Sequence, residues 1–285
     1  MKNKCNFPIW VQVCALFCSF FFTGCSTSNQ IVKKWETGKV FKKPESIAYD
    51  SIHDFLYVTN INGSTTKKDG NGFISRMKVN GSIDSLEWFS GFDAPKGIIY
   101  NDNHLYLTDI NAVYIINIDE QKIINKIVIS DAIFLNDIAV TDDETIYVSD
   151  TKRNCVFKIG DKTDVTTLNG EYKGANGLFI KGGYLYIGTS SCIYKYNMST
   201  DEQVLICNNT GNVDGLYVFS DTHFLISNFV NKLTEIKNNK KTVLYKGIPL
   251  INSCADFYYI ESSQSIIVPA FNEDKVKNFA FPNNN

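Results

Sequence analysis

The chain reads as an all-β protein, a six-bladed β-propeller. Three observations predict this: an aromatic- and β-branched-rich composition, six copies of one strand-turn-strand repeat, and a lone strand before the first copy. Tyr and Phe number 15 and 20, against 3 Met. No Ala/Leu/Glu-rich helical stretch follows residue 30, and such a composition suits pleated, half-buried surfaces. At 285 residues the chain is long enough for one large all-β domain.

Each repeat opens on a leading residue, in most copies polar, followed by an apolar run, a polar turn and a second apolar run. The first copy is Glu45-Ser46-Ile47-Ala48-Tyr49, then Leu56-Tyr57-Val58-Thr59-Asn60. The second runs from Lys96 to Tyr100 and from Leu105 to Asp109; the third from Asn136 to Val140 and from Ile146 to Asp150. The fourth starts at Asn176 and its second strand ends at Thr189; the fifth starts at Asp214 and ends at Asn228. The sixth is degenerate, with either Ala255 or Asp256 in the leading place.

The connecting turns Asp142-Asp143, Gly182-Gly183 and Ser220-Asp221 are hairpin formers. Further strand-like runs at 74–79, 113–118, 156–159, 193–196 and 233–236 follow each pair. Antiparallel four-stranded units at a period of about 40 residues describe propeller blades. The segment 35–41 has no earlier partner, so it is expected to pair with the last blade and close the ring. A parallel β-helix, the rival repeat fold, has shorter rungs.

The N-terminus stands outside this pattern. Lys2 and Lys4 precede an apolar run over residues 7–22, which ends in Phe22-Thr23-Gly24-Cys25. This resembles a bacterial lipoprotein signal, which implies removal of residues 1–24 and lipidation of Cys25, with a tether over 25–31 and the propeller over 32–285. An ordinary signal peptide is the alternative. The resemblance places the protein in the cell envelope, held to the membrane by lipid. The run after Cys25 lacks acidic residues, which favours a periplasm-facing location over surface display.

Removal of the signal leaves 26 basic against 30 acidic residues, with no clustered basic face for nucleic acid. It also leaves Cys155, Cys192, Cys207 and Cys254 beyond Cys25, widely spaced and in no metal-ligand pattern. Free, mostly buried thiols are expected, with one disulfide as the alternative. A small-molecule partner and a monomer are the expected state.

Propeller geometry turns the repeat into a site. Inner strands all start at one channel mouth, so Glu45, Lys96, Asn136, Asn176, Asp214 and Asp256 should converge there. Second strands return to that mouth with Asn60, Asp109, Asp150, Thr189 and Asn228 as an outer ring; Asn60, Asp109, Asp150 and Asn228, with Lys96 and Asp256, are the expected substrate contacts. Glu45, Asn136, Asn176 and Asp214 offer two carboxylates and two amide carbonyls. Hard oxygen donors without Cys or His suit Ca²⁺, or another hard divalent cation, better than Zn²⁺ or Cu²⁺.

The motifs Pro44-Glu45-Ser46-Ile47, Asn136-Asp137-Ile138, Ala175-Asn176-Gly177-Leu178 and Val213-Asp214-Gly215-Leu216 resemble those of the gluconolactonase/regucalcin (senescence marker protein) family. More distantly they resemble the paraoxonases; the likeness covers most of residues 32–280. It implies calcium held by Glu45, Asn136, Asn176 and Asp214, hydrolysis of lactones or esters, and an Asp214 that serves as ligand and catalytic base.

Lys96 departs from that pattern. It can anchor a substrate anion, donate to an oxyanion as a catalytic group, or replace the metal in an internal ion-pair network. The last option belongs with the alternative function, a non-enzymatic propeller of the NHL-repeat kind that binds a ligand or protein partner. His53, His104 and His223 fall at the turns away from the ring, so Ser-His-Asp catalysis is not expected. The long loop 61–72 sits on the ring side, as a lid or as a solvated insertion.

Overall fold

The computed structural model describes residues 31–160, 164–229, 232–246 and 254–281. The signal segment and Cys25 lie outside the described residues. Among the described residues, twenty-four strands form six four-stranded antiparallel sheets arranged as the blades of a propeller.

Strand β1 (Val32–Glu36) comes first in the chain and belongs to the last blade. Blade one is β2 (Pro44–Asp50), β3 (Phe55–Asn60), β4 (Gly72–Lys78) and β5 (Ile83–Phe92). Blade two is β6 (Ile98–Asn101), β7 (His104–Asp109), β8 (Ala112–Asn117) and β9 (Lys122–Val128). Blade three is β10 (Leu135–Val140), β11 (Ile146–Asp150), β12 (Cys155–Ile159) and β13 (Val165–Thr167). Blade four is β14 (Leu178–Lys181), β15 (Tyr184–Gly188), β16 (Cys192–Asn197) and β17 (Gln203–Asn208). Blade five is β18 (Leu216–Ser220), β19 (His223–Asn228), β20 (Lys232–Lys237) and β21 (Lys240–Lys246). Blade six has β22 (Tyr258–Ile260), β23 (Ser265–Ala270) and β24 (Lys275–Ala280), completed on its outer edge by β1.

The β1–β24 pairing closes the ring and covers the edge of β24, with Val32 opposite Ala280 and Glu36 opposite Lys277. The closing strand starts three residues before the segment expected from sequence. Phe41, at the end of that segment, is instead fully buried against Ile47, Leu56 and Val276. The core lies between blades: Ala48 and Tyr57 of blade one, for example, pack with Ile98, Leu105 and Leu107 of blade two. The expected thiols are present as free cysteines, Cys155, Cys207 and Cys254 buried and Cys192 half-buried.

One stitch recurs where the blades meet the channel. The Thr59 hydroxyl accepts from the Ser46 amide at 3.0 Å and donates to the Lys96 carbonyl of the next blade at 2.8 Å. Thr108 donates in the same way to the Asn136 carbonyl, and Ser227 to the Ala255 carbonyl at 2.6 Å. The inner-strand ladder breaks at these points, between Pro44 and Ile47 and between Leu135 and Ile138. Such a break turns the leading side chain toward the axis, and the hydroxyl satisfies the amide that the ladder releases.

Glycine at the second inner position lets adjacent inner strands approach. A Cβ on Gly97 would lie 2.7 Å from the Asn136 carbonyl oxygen, and one on Gly177 would lie 2.6 Å from that of Asp214.

Candidate functional site: the ring at the channel mouth

Five leading residues, Glu45, Lys96, Asn136, Asn176 and Asp214, line a single cavity of about 330 Å³ at the mouth. The sixth leading place belongs to Ala255. Its carbonyl takes the Ser227 hydroxyl as the Lys96 and Asn136 carbonyls take those of Thr59 and Thr108. Asp256 therefore sits one residue deeper, level with Asp137, and does not line this cavity.

Burial and charge set the chemistry of the ring. Glu45 and Asp214 are buried, yet among the described residues Glu45 Oε2 and Asp214 Oδ2 have no hydrogen-bond partner. Asn176 Nδ2 donates to Asp214 Oδ1 at 2.5 Å, and Asn136 Nδ2 donates to Thr151 Oγ1 at 3.0 Å. Both amides thus spend their nitrogens on the protein and keep their carbonyl oxygens as acceptors. Burial pushes Asp214 up to about 7, helped by the charge of Asp256 and opposed by the Asn176 hydrogen bond. Glu45 is pushed well above the usual carboxylate range, by burial first, then by Asp214 and Asp256, with Lys96 opposing.

Lys96 is 1% exposed. Its Nζ donates to the Ala94 carbonyl at 3.0 Å and lies 4.4 Å from the centre of the Phe134 ring. Among the described residues no carboxylate lies within ion-pair distance of it. Burial pushes its ammonium down, against the pull of Glu45 and Asp109.

The strand-two ends do something else. Asp109 accepts the Asp93, Ala94 and Ile110 amides at 2.7, 2.7 and 2.8 Å. Asp150 accepts the Ile133, Phe134, Lys152 and Arg153 amides. Asn60 takes the Lys42 amide at 2.9 Å, Thr189 takes the Cys192 amide at 3.0 Å, and Asn228 donates to the Asn212 carbonyl. None of these five lines the mouth cavity. They fasten the loops that carry lining residues: Asp150 holds Phe134, and Asn228 holds Asn212.

The rest of the lining is apolar or neutral: Ile61, Phe134, Val213, Phe229 and Phe271, with Thr65, Thr151 and Asn212. Phe229 is 47% exposed and meets Phe271 edge-on, with ring centres 5.4 Å apart. Sequence reasoning did not single these residues out because they lie on loops outside the repeated strands: Ile61, Thr65, Thr151, Phe229 and Phe271 follow the second strand of their blades, and Phe134, Asn212 and Val213 lie between blades. The loop 61–72 brings Thr65 to the cavity and is fastened to blade two, where Lys68 Nζ donates to Asn111 Oδ1 at 2.6 Å, and to the connection between blades one and two, where the Gly70 amide donates to Asp93 at 3.0 Å.

The histidines stand apart from the ring. His53 pairs with Asp50 at 2.8 Å, His223 with Glu235 at 2.7 Å, and His104 stacks edge-on to Tyr106. His53 fits a turn position; His104 and His223 instead open strands and are half-buried rather than solvated.

The ring fits a hard cation by its donor set. Among the described residues no three of His, Cys, Asp and Glu stand close enough to form a metal site alone. The ring instead mixes two carboxylates with two amides, and the two orphaned carboxylate oxygens are what a buried cation would satisfy.

No protein-family model and no curated protein matches the chain. Solved structures do. A gluconolactonase from Xanthomonas campestris is 12% identical with a TM-score of 0.64, over 86% of this chain and 88% of that one. A streptogramin B lyase is 13% identical with a TM-score of 0.61, over 85% and 95%. A virginiamycin B lyase from Staphylococcus aureus, solved with quinupristin, is 15% identical with a TM-score of 0.58, over 89% and 99%. At such identities the likeness is one of fold, the six-bladed propeller.

Proposed function

We propose that the chain is a calcium-dependent hydrolase of lactones or esters, with its site at the ring mouth. The observation that carries this reading is the pair of buried, unpartnered oxygens, Glu45 Oε2 and Asp214 Oδ2, at the base of an open cavity. Buried carboxylates need a cation or a proton. Glu45, Asn136, Asn176 and Asp214 would hold Ca²⁺, or another hard divalent cation, which would supply Lewis-acid polarisation of the substrate carbonyl.

The chain's own residues supply the rest. A bound cation would keep Asp214 ionised, the form that takes a proton from water. Water oxygen adds to the carbonyl carbon as Asp214 takes its proton. The proton then passes to the leaving alkoxide as the C–O bond breaks. The Lys96 ammonium, buried beside Phe134, donates to the oxyanion or to the carboxylate that ring opening releases. Phe134, Phe229 and Phe271 narrow the mouth and exclude bulk water, which strengthens each of these charges.

The non-enzymatic alternative needs Lys96 to neutralise the ring as an ion pair. Its bond to a carbonyl rather than to a carboxylate, and the open cavity above it, support the hydrolase. The test is turnover of a sugar lactone and an aryl ester by calcium-loaded protein, wild type against Asp214→Asn. Hydrolysis lost in the variant supports the reading; no hydrolysis of either substrate class sinks it.

We also propose a monomer in the bacterial cell envelope, lipid-anchored through Cys25 and facing the periplasm, acting on a small molecule and not on nucleic acid. Mass analysis of the mature N-terminus tests the anchor: an unmodified Cys25 contradicts it.

A further inference from the structure

The channel holds a second chamber, of about 500 Å³, at the end where the inner strands finish. It shares no lining residue with the ring cavity. Its wall is aromatic. Tyr49 meets Tyr258 at 5.9 Å, and Tyr217 meets Phe179 and Tyr259 at 4.8 Å each, all edge-on. Among the described residues three carboxylates line it, Asp137 and Asp256 deep in the channel and Glu261 at the rim, and no Lys, Arg or His does.

Among the described residues, the two deep carboxylates accept hydrogen bonds from neutral groups only. Asp137 accepts the Ile138 and Leu178 amides at 2.8 and 2.6 Å; Asp256 accepts the Ser46 hydroxyl and the Phe257 amide at 2.5 and 2.7 Å. Among the described residues neither has a cation within 4.0 Å. The fold reserves space for both. A Cβ on Gly97 would come within 2.8 Å of Asp137 Oδ1, and one on Gly215 within 2.4 Å of Asp256 Oδ1. Half-buried carboxylates without a described counter-charge, set at the end of an aromatic-walled chamber of ligand size, define a cation site with an apolar body.

We infer that this chamber binds an organic ammonium, with its charge toward Asp137 and Asp256 and its apolar body against the tyrosines. An anion finds no charged donor among the described lining residues. A small inorganic ion leaves the aromatic wall without a partner.

The test uses benzyltrimethylammonium, whose charge does not depend on pH, against its uncharged isostere neopentylbenzene, with dissociation constants read by calorimetry or tyrosine fluorescence. The cation should bind at least about tenfold tighter than the isostere. Asp256→Asn should weaken the cation about tenfold or more, and Phe229→Ala at the opposite mouth should leave it unchanged. Tyr49→Leu and Glu261→Gln, both near the chamber rim, should each weaken it about two- to fivefold, which keeps the test alive if Asp256→Asn does not fold. Equal affinity for cation and isostere, full affinity in every chamber variant, or no binding at millimolar ligand would overturn the inference.

Discussion

The two ends of the channel are built from the same six inner strands, yet they hold opposite chemistry. At the strand starts the lining mixes acids, amides and one lysine, with two carboxylate oxygens left unpartnered. At the strand finishes it is aromatic, with acids and no base. The hydroxyl stitch of Thr59, Thr108 and Ser227 recurs in blades one, two and five. Position along the strand, rather than the repeat itself, therefore sets the side-chain chemistry of each end, on a frame that the repeat holds constant.

Substitutions at the ring should separate the ends most sharply. Asp214→Asn should lower kcat by about 10²- to 10⁴-fold, the usual scale of general-base loss, while ammonium binding at the far chamber persists. Retained turnover would remove Asp214 from the chemistry.

The pH dependence of the calcium-free protein comes next. Asp214 and Asp256 are held at about 7 and about 6, and Glu45 is also raised, so the folded state keeps protons that the unfolded chain has lost. Their contribution is full below about pH 4 and disappears as pH rises through about 7; for Asp214 alone it is on the order of 4 kcal/mol. Thermal midpoints without calcium should therefore fall from pH 4 to pH 7. Saturating calcium should flatten that fall, because the bound cation favours the ionised ring. A midpoint that rises over the same window without calcium would contradict the burial of these acids.

Smaller effects test the shared frame. Thr59→Val leaves the Ser46 amide and the Lys96 carbonyl unpartnered, at a cost of about 2 kcal/mol in urea unfolding. Phe229→Ala, on the exposed rim, should change stability by less than about 0.5 kcal/mol and raise KM for an aryl ester about threefold. A change in kcat alone would place Phe229 outside substrate binding.

The fold was legible because blade period, hairpin turns and an unpartnered first strand all point to one closed ring. Five of the six leading places were legible for the same reason. The sixth was ambiguous because Ala255 carries no polar group and Asp256 follows it, so only the Ser227 bond fixes the register. The strand-two acids were harder to read. A carboxylate that faces a channel and one that binds loop amides occupy the same sequence position, and Asp109 and Asp150 do the latter. The partner of Lys96 was hidden altogether, since Phe134 reaches it from an inter-blade loop. The far chamber was hidden too, because its tyrosines look like ordinary strand residues one blade at a time.

Calcium titration followed by thermal unfolding tests the central claim most directly. At a hundred times the dissociation constant, calcium should stabilise the wild type by about 2.7 kcal/mol, a rise of roughly 5–10 °C in Tm. Glu45→Gln and Asp214→Asn should each abolish most of that rise. An unchanged midpoint at millimolar calcium would contradict the metal site and leave the ring as a structural feature of the propeller.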